Sequence, residues 1–216
     1  MVESDARTPR ERYRAQVREE VKKYAWEQIA TAGASALSLN AIAKQVGMSG
    51  PALYRYFANR DALITELITD AYRSLADTFR ARAVAGADLG DLALALRGWA
   101  LDDPQRYLLV YGTPVPGYQA PEDTTRIASE IMAILLYACT AAPPPTTPAT
   151  PLDAHLAEHR GWAQDHPATP ADLRRALAFW TRLHGVLSLE LAGHFTGMGF
   201  DPAELYAAEV DTLTGR

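Results

Sequence analysis

Residues 38–63 constrain this chain more tightly than any other stretch, because two short helical patterns meet there at a glycine. The segment opens Ser38-Leu39-Asn40-Ala41-Ile42-Ala43-Lys44-Gln45-Val46 and continues Gly47-Met48-Ser49-Gly50-Pro51-Ala52-Leu53-Tyr54-Arg55-Tyr56-Phe57. Ser38 suits the N-cap of a helix that runs to about Val46, with Ile42, Ala43 and Val46 inward. Gly47 allows the positive φ of a tight turn. Ser49 suits a second N-cap, and Pro51 in the first turn of that helix costs no hydrogen bond. Leu53 and Phe57 are four apart and point at one core, while Ala43 and Gly47 are small where the two helices approach. This is the logic of a helix-turn-helix, whose second helix enters the major groove of DNA.

The neighbouring sequence extends the pattern. Residues 1–9 read as a disordered arm. From about Arg10 to Ala32 a long helix is predicted, with Tyr13, Val17, Val21, Tyr24, Ala25 and Ile29 near the helical period and Gly33 as its stop. Arg14, Arg18 and Lys22 lie on its other face, where they either meet phosphates or pair with Glu11, Glu19 and Glu20. A further helix is predicted over 61–83, with Leu63, Leu67, Ala71, Leu75 and Phe79 spaced by four and Asp61 suited to the positive end of the helix dipole.

The chain has a formal net charge of -5, which at first argues against a polyanionic partner. The distribution reverses that. Residues 1–60 hold ten basic and six acidic side chains, a net +4, which leaves -9 on the remainder. A basic head on an acidic body suits a nucleic-acid-binding unit joined to a regulatory one. The longest apolar run, Ile131 to Cys139, is too short to span a bilayer, and the polar N-terminus does not resemble a signal peptide. One cysteine, Cys139, permits no internal disulfide and fits a cytoplasmic setting.

A body is predicted over 84–216. Its helices are read as 88–100, broken by Asp102-Asp103-Pro104; 105–111; 124–140; 152–165; 170 to about 195, stopped by Gly197 and Gly199; and 203–213. Gly112 to Pro121 reads as a loop, and the Pro/Thr-rich 141–151 reads as a linker within the body. Thr169-Pro170-Ala171-Asp172 combines a cap, a first-turn proline and an acid three residues on.

Ser38 to Leu63 resembles the DNA-binding domain of the TetR (tetracycline-repressor) family. That pattern runs Thr/Ser before Ile-Ala, then Gly-Val-Ser, then small-small-Leu-Tyr-x-His/Tyr-Phe, then Ser/Asn-Lys-Glu/Asp-x-Leu. This chain supplies Ser38, Ile42-Ala43, Gly47-Met48-Ser49, Leu53-Tyr54-Arg55-Tyr56-Phe57 and Asn59-Arg60-Asp61-Ala62-Leu63, without a gap. The resemblance implies an all-α homodimer: a three-helix head over 10–83, including a long fourth helix that connects it to a helical-bundle body. It also implies transcriptional repression at a palindromic double-stranded operator, relieved by a small molecule. By position, Ser38, Tyr54, Tyr56 and Arg60 correspond to phosphate-holding residues, and Ser49, Gly50, Pro51 and Ala52 to those at the base edges. The residue chemistry agrees: the tyrosines offer hydroxyls, and Arg55 and Arg60 offer charge. Arg60 replaces the commoner lysine, and Pro51 is less usual.

Trp180-Thr181-Arg182-Leu183-His184-Gly185 resembles the Trp-x-x-x-His-Gly mark of one TetR C-terminal subclass, as does the Tyr107-to-Pro121 stretch. This implies that the last two helices pair with their copies, with Gly185, Ser188, Ala192 and Gly193 permitting close approach. An effector pocket should be mostly apolar; its candidate residues are Trp99, Tyr111, Met132, Leu135, Leu136, Phe179, Trp180 and His184. A reading from another class is a zinc hydrolase, since His155-Leu156-Ala157-Glu158-His159 matches H-x-x-E-H; on a helix the two histidines would share a face, and zinc would need a third ligand. A second alternative is a DNA-binding dimer without a small-molecule effector. No serine elbow, dinucleotide loop or phosphate loop is present, so neither a cofactor nor enzyme chemistry is expected. Cys139 reads as a core residue.

Overall fold

The computed structural model of the chain describes residues 8–112, 118, 120–143 and 148–215. Every regular element among them is helical. The chain divides near residue 68 into an N-terminal and a C-terminal unit.

The N-terminal unit begins with α1 (Pro9–Ala32). Thr8 caps it through a reciprocal box with Glu11, and Gly33 ends it at φ 78°. Its inward row is Val17, Val21, Ala25 and Ile29; Tyr13, predicted to join them, is 62% exposed because the row has run past the core by that turn. A 3-10 turn (Ala34–Ala36) leads to α2 (Leu39–Gln45), then α3 (Gly50–Leu53) and the start of α4 (Arg60–Val84). Leu37, Leu39, Ile42, Ala43, Leu53, Phe57, Leu63, Ile64, Leu67 and Ile68 complete the core. Gly47 lies at φ 72°, and a Cβ there would meet nothing within 4 Å. The turn therefore needs glycine for its dihedral, not for the close approach that the spacing suggested.

The C-terminal unit contains the rest of α4 with α5 (Leu89–Asp102), α6 (Pro104–Tyr111), α7 (Glu122–Ala141), α8 (Pro151–Glu158), a 3-10 turn (Gly161–Ala163), α9 (Pro170–Leu191) and α10 (Pro202–Thr214). Prolines here start helices. Asp103-Pro104, Thr150-Pro151, Thr169-Pro170 and Asp201-Pro202 each place a capping side chain before a first-turn proline, where the missing N–H would be unsatisfied anyway. Pro151 thus belongs to α8 and not to a linker; residues 144–147 of that predicted linker, residues 113–117 and 119 of the predicted loop, and residues 1–7 of the predicted arm lie outside the described residues. α9 touches α5, α6, α7, α8 and α10, so it is the centre of the unit. Arg97 forks onto Glu190 at 2.5 and 2.8 Å, and Tyr206 Oη donates to the Ala93 carbonyl at 2.7 Å.

Two boundaries differ from the sequence reading. The helix expected over 152–165 stops at Glu158, after which Arg160 gathers the carbonyls of His166 and Ala168 at 2.5 and 3.1 Å into a turn. The helix expected to reach about 195 ends at Leu191, because Ala192 caps it and Gly193 turns out at φ 77°.

Replacing Gly47 by Ala should destabilise the protein by about 1 kcal/mol and lower Tm by roughly 2–4 °C. Since added volume meets no neighbour, thermal unfolding of Gly47→Ala isolates the dihedral cost; an unchanged Tm would contradict it.

Candidate nucleic-acid interface and a buried aromatic cluster

The N-terminal unit presents its turn on a framework of backbone hydrogen bonds. Ser38 Oγ accepts from the Ala41 N–H at 3.4 Å, while its own N–H donates to Gln28 Oε1 at 2.9 Å. Met48 N–H reaches back to the Ala43 carbonyl at 2.8 Å. Ser49 caps α3 with extended backbone, but its hydroxyl makes no capping bond. A Cβ on Gly50 would lie 3.3 Å from Asn40 Oδ1, so glycine there lets α3 start close against α2. Ser49, Pro51, Tyr54 and Arg55 are exposed, and Gly50, Ala52 and Tyr56 half-buried.

What holds this tip is the basic row of α1. Arg14 Nη2 donates to the Arg55 carbonyl at 3.3 Å, and Arg18 Nη1 donates to the Tyr56 carbonyl at 2.5 Å. Arg18 also pairs with Glu66 and lies 4.4 Å over the Phe57 ring. Lys22 lies 3.6 Å from Glu66 and 2.5 Å from Glu19. Lys22 makes the predicted pair with Glu19, but Arg14 and Arg18 follow neither predicted use and brace backbone carbonyls some forty residues away. The Arg14 guanidinium sits 5.9 Å over Tyr56, which separates the two tyrosines: Tyr54 is 47% exposed and Tyr56 lies beneath the arginine. Arg60 donates to the Ala34 carbonyl at 2.6 Å and lies 3.4 Å from Asp61, so much of its guanidinium faces protein.

In the C-terminal unit, Tyr111, Trp180 and His184 come together, with Trp99 beyond Tyr107. His184 lies 4.2 Å from the Tyr111 ring and 4.4 Å from Trp180. Tyr107 joins them, stacked 5.6 Å from His184 and edge-on 6.4 Å from Trp99, and Tyr72 meets Tyr111 edge-on at 5.9 Å. Sequence reasoning passed over Tyr107 and Tyr72; the four-residue spacing of Tyr107 and Tyr111 on one helix was the available signal for the first. Tyr107 Oη lies 3.0 Å from His184 Nδ1 and 2.9 Å from Ser188 Oγ. Trp99 Nε1 donates to Ser74 Oγ at 3.1 Å, and Arg106 lies 4.5 Å over the Trp99 ring. Leu135, Leu136 and Phe179 are sealed in the core, and Met132 packs at its margin.

Burial lowers His184 to a pKa of about 4 and raises Tyr111 well above its ordinary value, the Tyr111 shift reinforced by Tyr72 and Tyr107. Tyr111 Oη and His184 Nε2 are buried with no hydrogen-bond partner among the described residues.

The small residues predicted for a dimer seam do not form one helical stripe. Gly185 is exposed on α9, the Ser188 hydroxyl turns inward to Tyr107, Ala192 caps the helix and Gly193 lies past its end. The predicted zinc motif does not share a helical face either. His159 lies outside α8, its ring stacked 4.0 Å from His155 and its Nδ1 3.0 Å from the His155 carbonyl. Among the described residues no group of three potential metal ligands is found, so the third ligand that reading needs is not supplied there. Cys139 is buried in the core, and burial raises its thiol to about 12. No described helix is long and apolar enough to cross a membrane.

Residues 23–67 match the model of bacterial regulatory proteins of the tetR family, and residues 89–213 match that of the tetracyclin repressor-like C-terminal domain. The HTH-type transcriptional regulator Rv1816 of Mycobacterium tuberculosis is 33% identical over 93% of this chain and 92% of its own length. The crystal structure of protein SCO4313 superposes with a TM-score of 0.89 at 67% identity, over 97% of this chain and 100% of that one. A Rhodococcus sp. RHA1 protein of unknown function shares the fold, with a TM-score of 0.66 and 23% identity over 92% of this chain and 94% of that one.

The buried imidazole sets a pH response. Its folded pKa lies below the ordinary 6.5, so as pH falls the unfolded chain takes up the proton first, and stability drops between about 6.5 and 4. From pH 7.5 to 5 this contributes a loss of about 2 kcal/mol. Denaturant unfolding at both pH values should show that loss reduced in His184→Phe relative to wild type; an equal loss in both proteins would count against it.

Proposed function

The chain belongs to the TetR family of transcriptional regulators, and from that premise we propose that it acts as a cytoplasmic homodimer that represses transcription at a palindromic operator and is released by a small, mostly apolar effector. It is a DNA-binding transcriptional regulator; the repressor sense, the dimer and the effector are the proposed part, and no reaction is assigned to it. The observation that carries the reading is the tip of the N-terminal unit: exposed Ser49 and Pro51, with Gly50 and Ala52 between and beside them, flanked by exposed Ser38, Tyr54 and Arg55.

So few donors at the tip favour contact with thymine methyls and DNA shape for sequence choice, with Ser49 the main hydrogen-bonding group at the bases. Affinity then rests on the flanks. Ser38 and Tyr54 offer hydroxyls to phosphates and Arg55 offers charge. Tyr56 and Arg60 serve first as structure, through Arg14 and the Ala34 carbonyl, and reach phosphate only with what remains. The proposed dimer seam uses the exposed face of α9 around Gly185, with Ala192 and Gly193 at its end. The effector site is proposed in the C-terminal unit around Trp99, Tyr111, Trp180 and His184, with Met132 at its margin and Leu136 and Phe179 as supporting core. Effector binding favours a dimer conformation whose two heads no longer fit successive half-sites.

Selection of bound DNA from a random pool should return a palindrome with half-sites about one helical turn apart or a multiple of it. On the selected site, Tyr54→Phe should weaken binding roughly three- to ten-fold. Arg55→Ala should reduce the salt slope by about one. Enrichment of no sequence, or wild-type affinity in both variants, would overturn the assignment.

A further inference from the structure

Resting on the effector reading above, we infer that the aromatic cluster around His184 recognises an uncharged ligand carrying one hydroxyl group on an apolar frame, with Tyr111 Oη and His184 Nε2 as the groups that read the hydroxyl. Three observations carry this.

The first is the pair of orphan atoms. Tyr111 Oη and His184 Nε2 are both buried, His184 is only 9% exposed, and neither atom finds a partner among the described residues. Buried polar side chains in folded proteins are otherwise almost always paired, and leaving one unpaired is costly. Here two lie on rings 4.2 Å apart. Two other polar atoms of the cluster are engaged: Tyr107 Oη with His184 and Ser188, and Trp99 Nε1 with Ser74.

The second is the way His184 is held. Its Nδ1 meets Tyr107 Oη, which also lies within reach of Ser188 Oγ. That chain fixes the ring while leaving its tautomer open. If Tyr107 donates to Nδ1, Nε2 is a donor; if Nδ1 donates to Tyr107, Nε2 is an acceptor. Tyr111 likewise donates or accepts. A hydroxyl does both, so it satisfies the pair in either state.

The third is that, among the described residues, no charged side chain is found acting on Tyr111 or His184 themselves. The cluster's members are aromatic rings and a neutral imidazole, and burial is the cause of the His184 shift. The Tyr111 shift comes from burial and neighbouring phenols. Arg97 is committed to Glu190, and Arg106, over Trp99, gives its two Nη atoms to Ser74 and the Trp99 carbonyl beside Asp103 and Asp102, with its Nε buried and unpaired among the described residues. A carboxylate or ammonium placed between Tyr111 and His184 would be buried without an opposite charge, and that desolvation is not offset. The half-buried rings of Tyr72 and Trp180 supply flat apolar walls.

Fluorine NMR of the full-length protein with 4-fluorophenol, 4-fluorobenzoate and 4-fluorobenzylammonium tests this with probes of one aromatic frame and three charges. The phenol should bind, and the two ions should bind at least about ten-fold more weakly. Tyr111→Phe should weaken the phenol about ten-fold. The same variant, without ligand, should keep or raise its Tm, because it deletes an unpaired hydroxyl; a structural hydroxyl would lower Tm on removal. Binding of none of the three probes, a preference for either ion, or a Tyr111→Phe variant that loses stability and keeps phenol affinity would each overturn the inference. Operator release measured alongside keeps the two readings apart. Phenol binding that leaves operator bound supports the site while failing the effector reading; release by the benzoate with equal potency in wild type and Tyr111→Phe overturns the site while sparing that reading.

Discussion

The Arg18 side chain, set between the Tyr56 carbonyl, the Glu66 carboxylate and the face of Phe57, is the interaction on which the DNA-binding unit depends. The helix it braces, α3, has only four residues. A single turn of helix has no stability of its own, because nucleation fixes several dihedrals for few hydrogen bonds. Its position must come from outside. Leu53 and Phe57 anchor it from below, at 0% and 2% exposure, and Arg14 and Arg18 hold the carbonyls that follow it. The half-buried guanidinium of Arg18 serves packing and hydrogen bonding at once, which a lysine could not do. The charge that makes this unit basic is therefore partly scaffold, and the surface field available to a polyanion is smaller than the count of basic residues suggests.

The C-terminal unit meets the opposite problem. Its surface is acidic and its centre is crowded with aromatic rings whose polar edges must be satisfied far from water. Most are. Tyr206 reaches the Ala93 carbonyl, Trp99 reaches Ser74, and Tyr107 sits between His184 and Ser188. These pairs link α4 to α5, α5 to α10 and α6 to α9, so the polar atoms specify which helix faces meet while apolar burial supplies the drive. Tyr111 Oη and His184 Nε2 are exceptions on adjacent rings; His166 Nε2 and Arg106 Nε, elsewhere in the unit, are also buried without a partner among the described residues.

Much of this was legible in the chain. The glycine at 47 and the serine caps at 38 and 49 announced the turn between α2 and α3, because positive φ and capping are local properties. The four-residue spacing from Leu63 to Phe79 located α4, and all five of its leucine, alanine and phenylalanine positions are buried. Tyr111, Trp180 and His184 were named from apolar helix faces and do meet, and Trp99 reaches them through Tyr107. The errors had a common cause. Tyr13, the ends of α8 and α9, the inward turn of Ser188 and the fate of the H-x-x-E-H residues all depend on where a helix runs out of core or meets a loop, which periodicity does not encode.

Local chemistry in the sequence determined the helices, their caps, the turn at Gly47 and the membership of a DNA-binding family, because each rests on residues within a few positions of one another. Tertiary structure decided which polar side chains are tools and which are braces. Arg18 and Tyr56 are 38 residues apart, and Tyr107 and His184 are 77. Whether an arginine faces solvent or a carbonyl, and whether a histidine is paired at one nitrogen or both, follows from distances that only the folded chain creates.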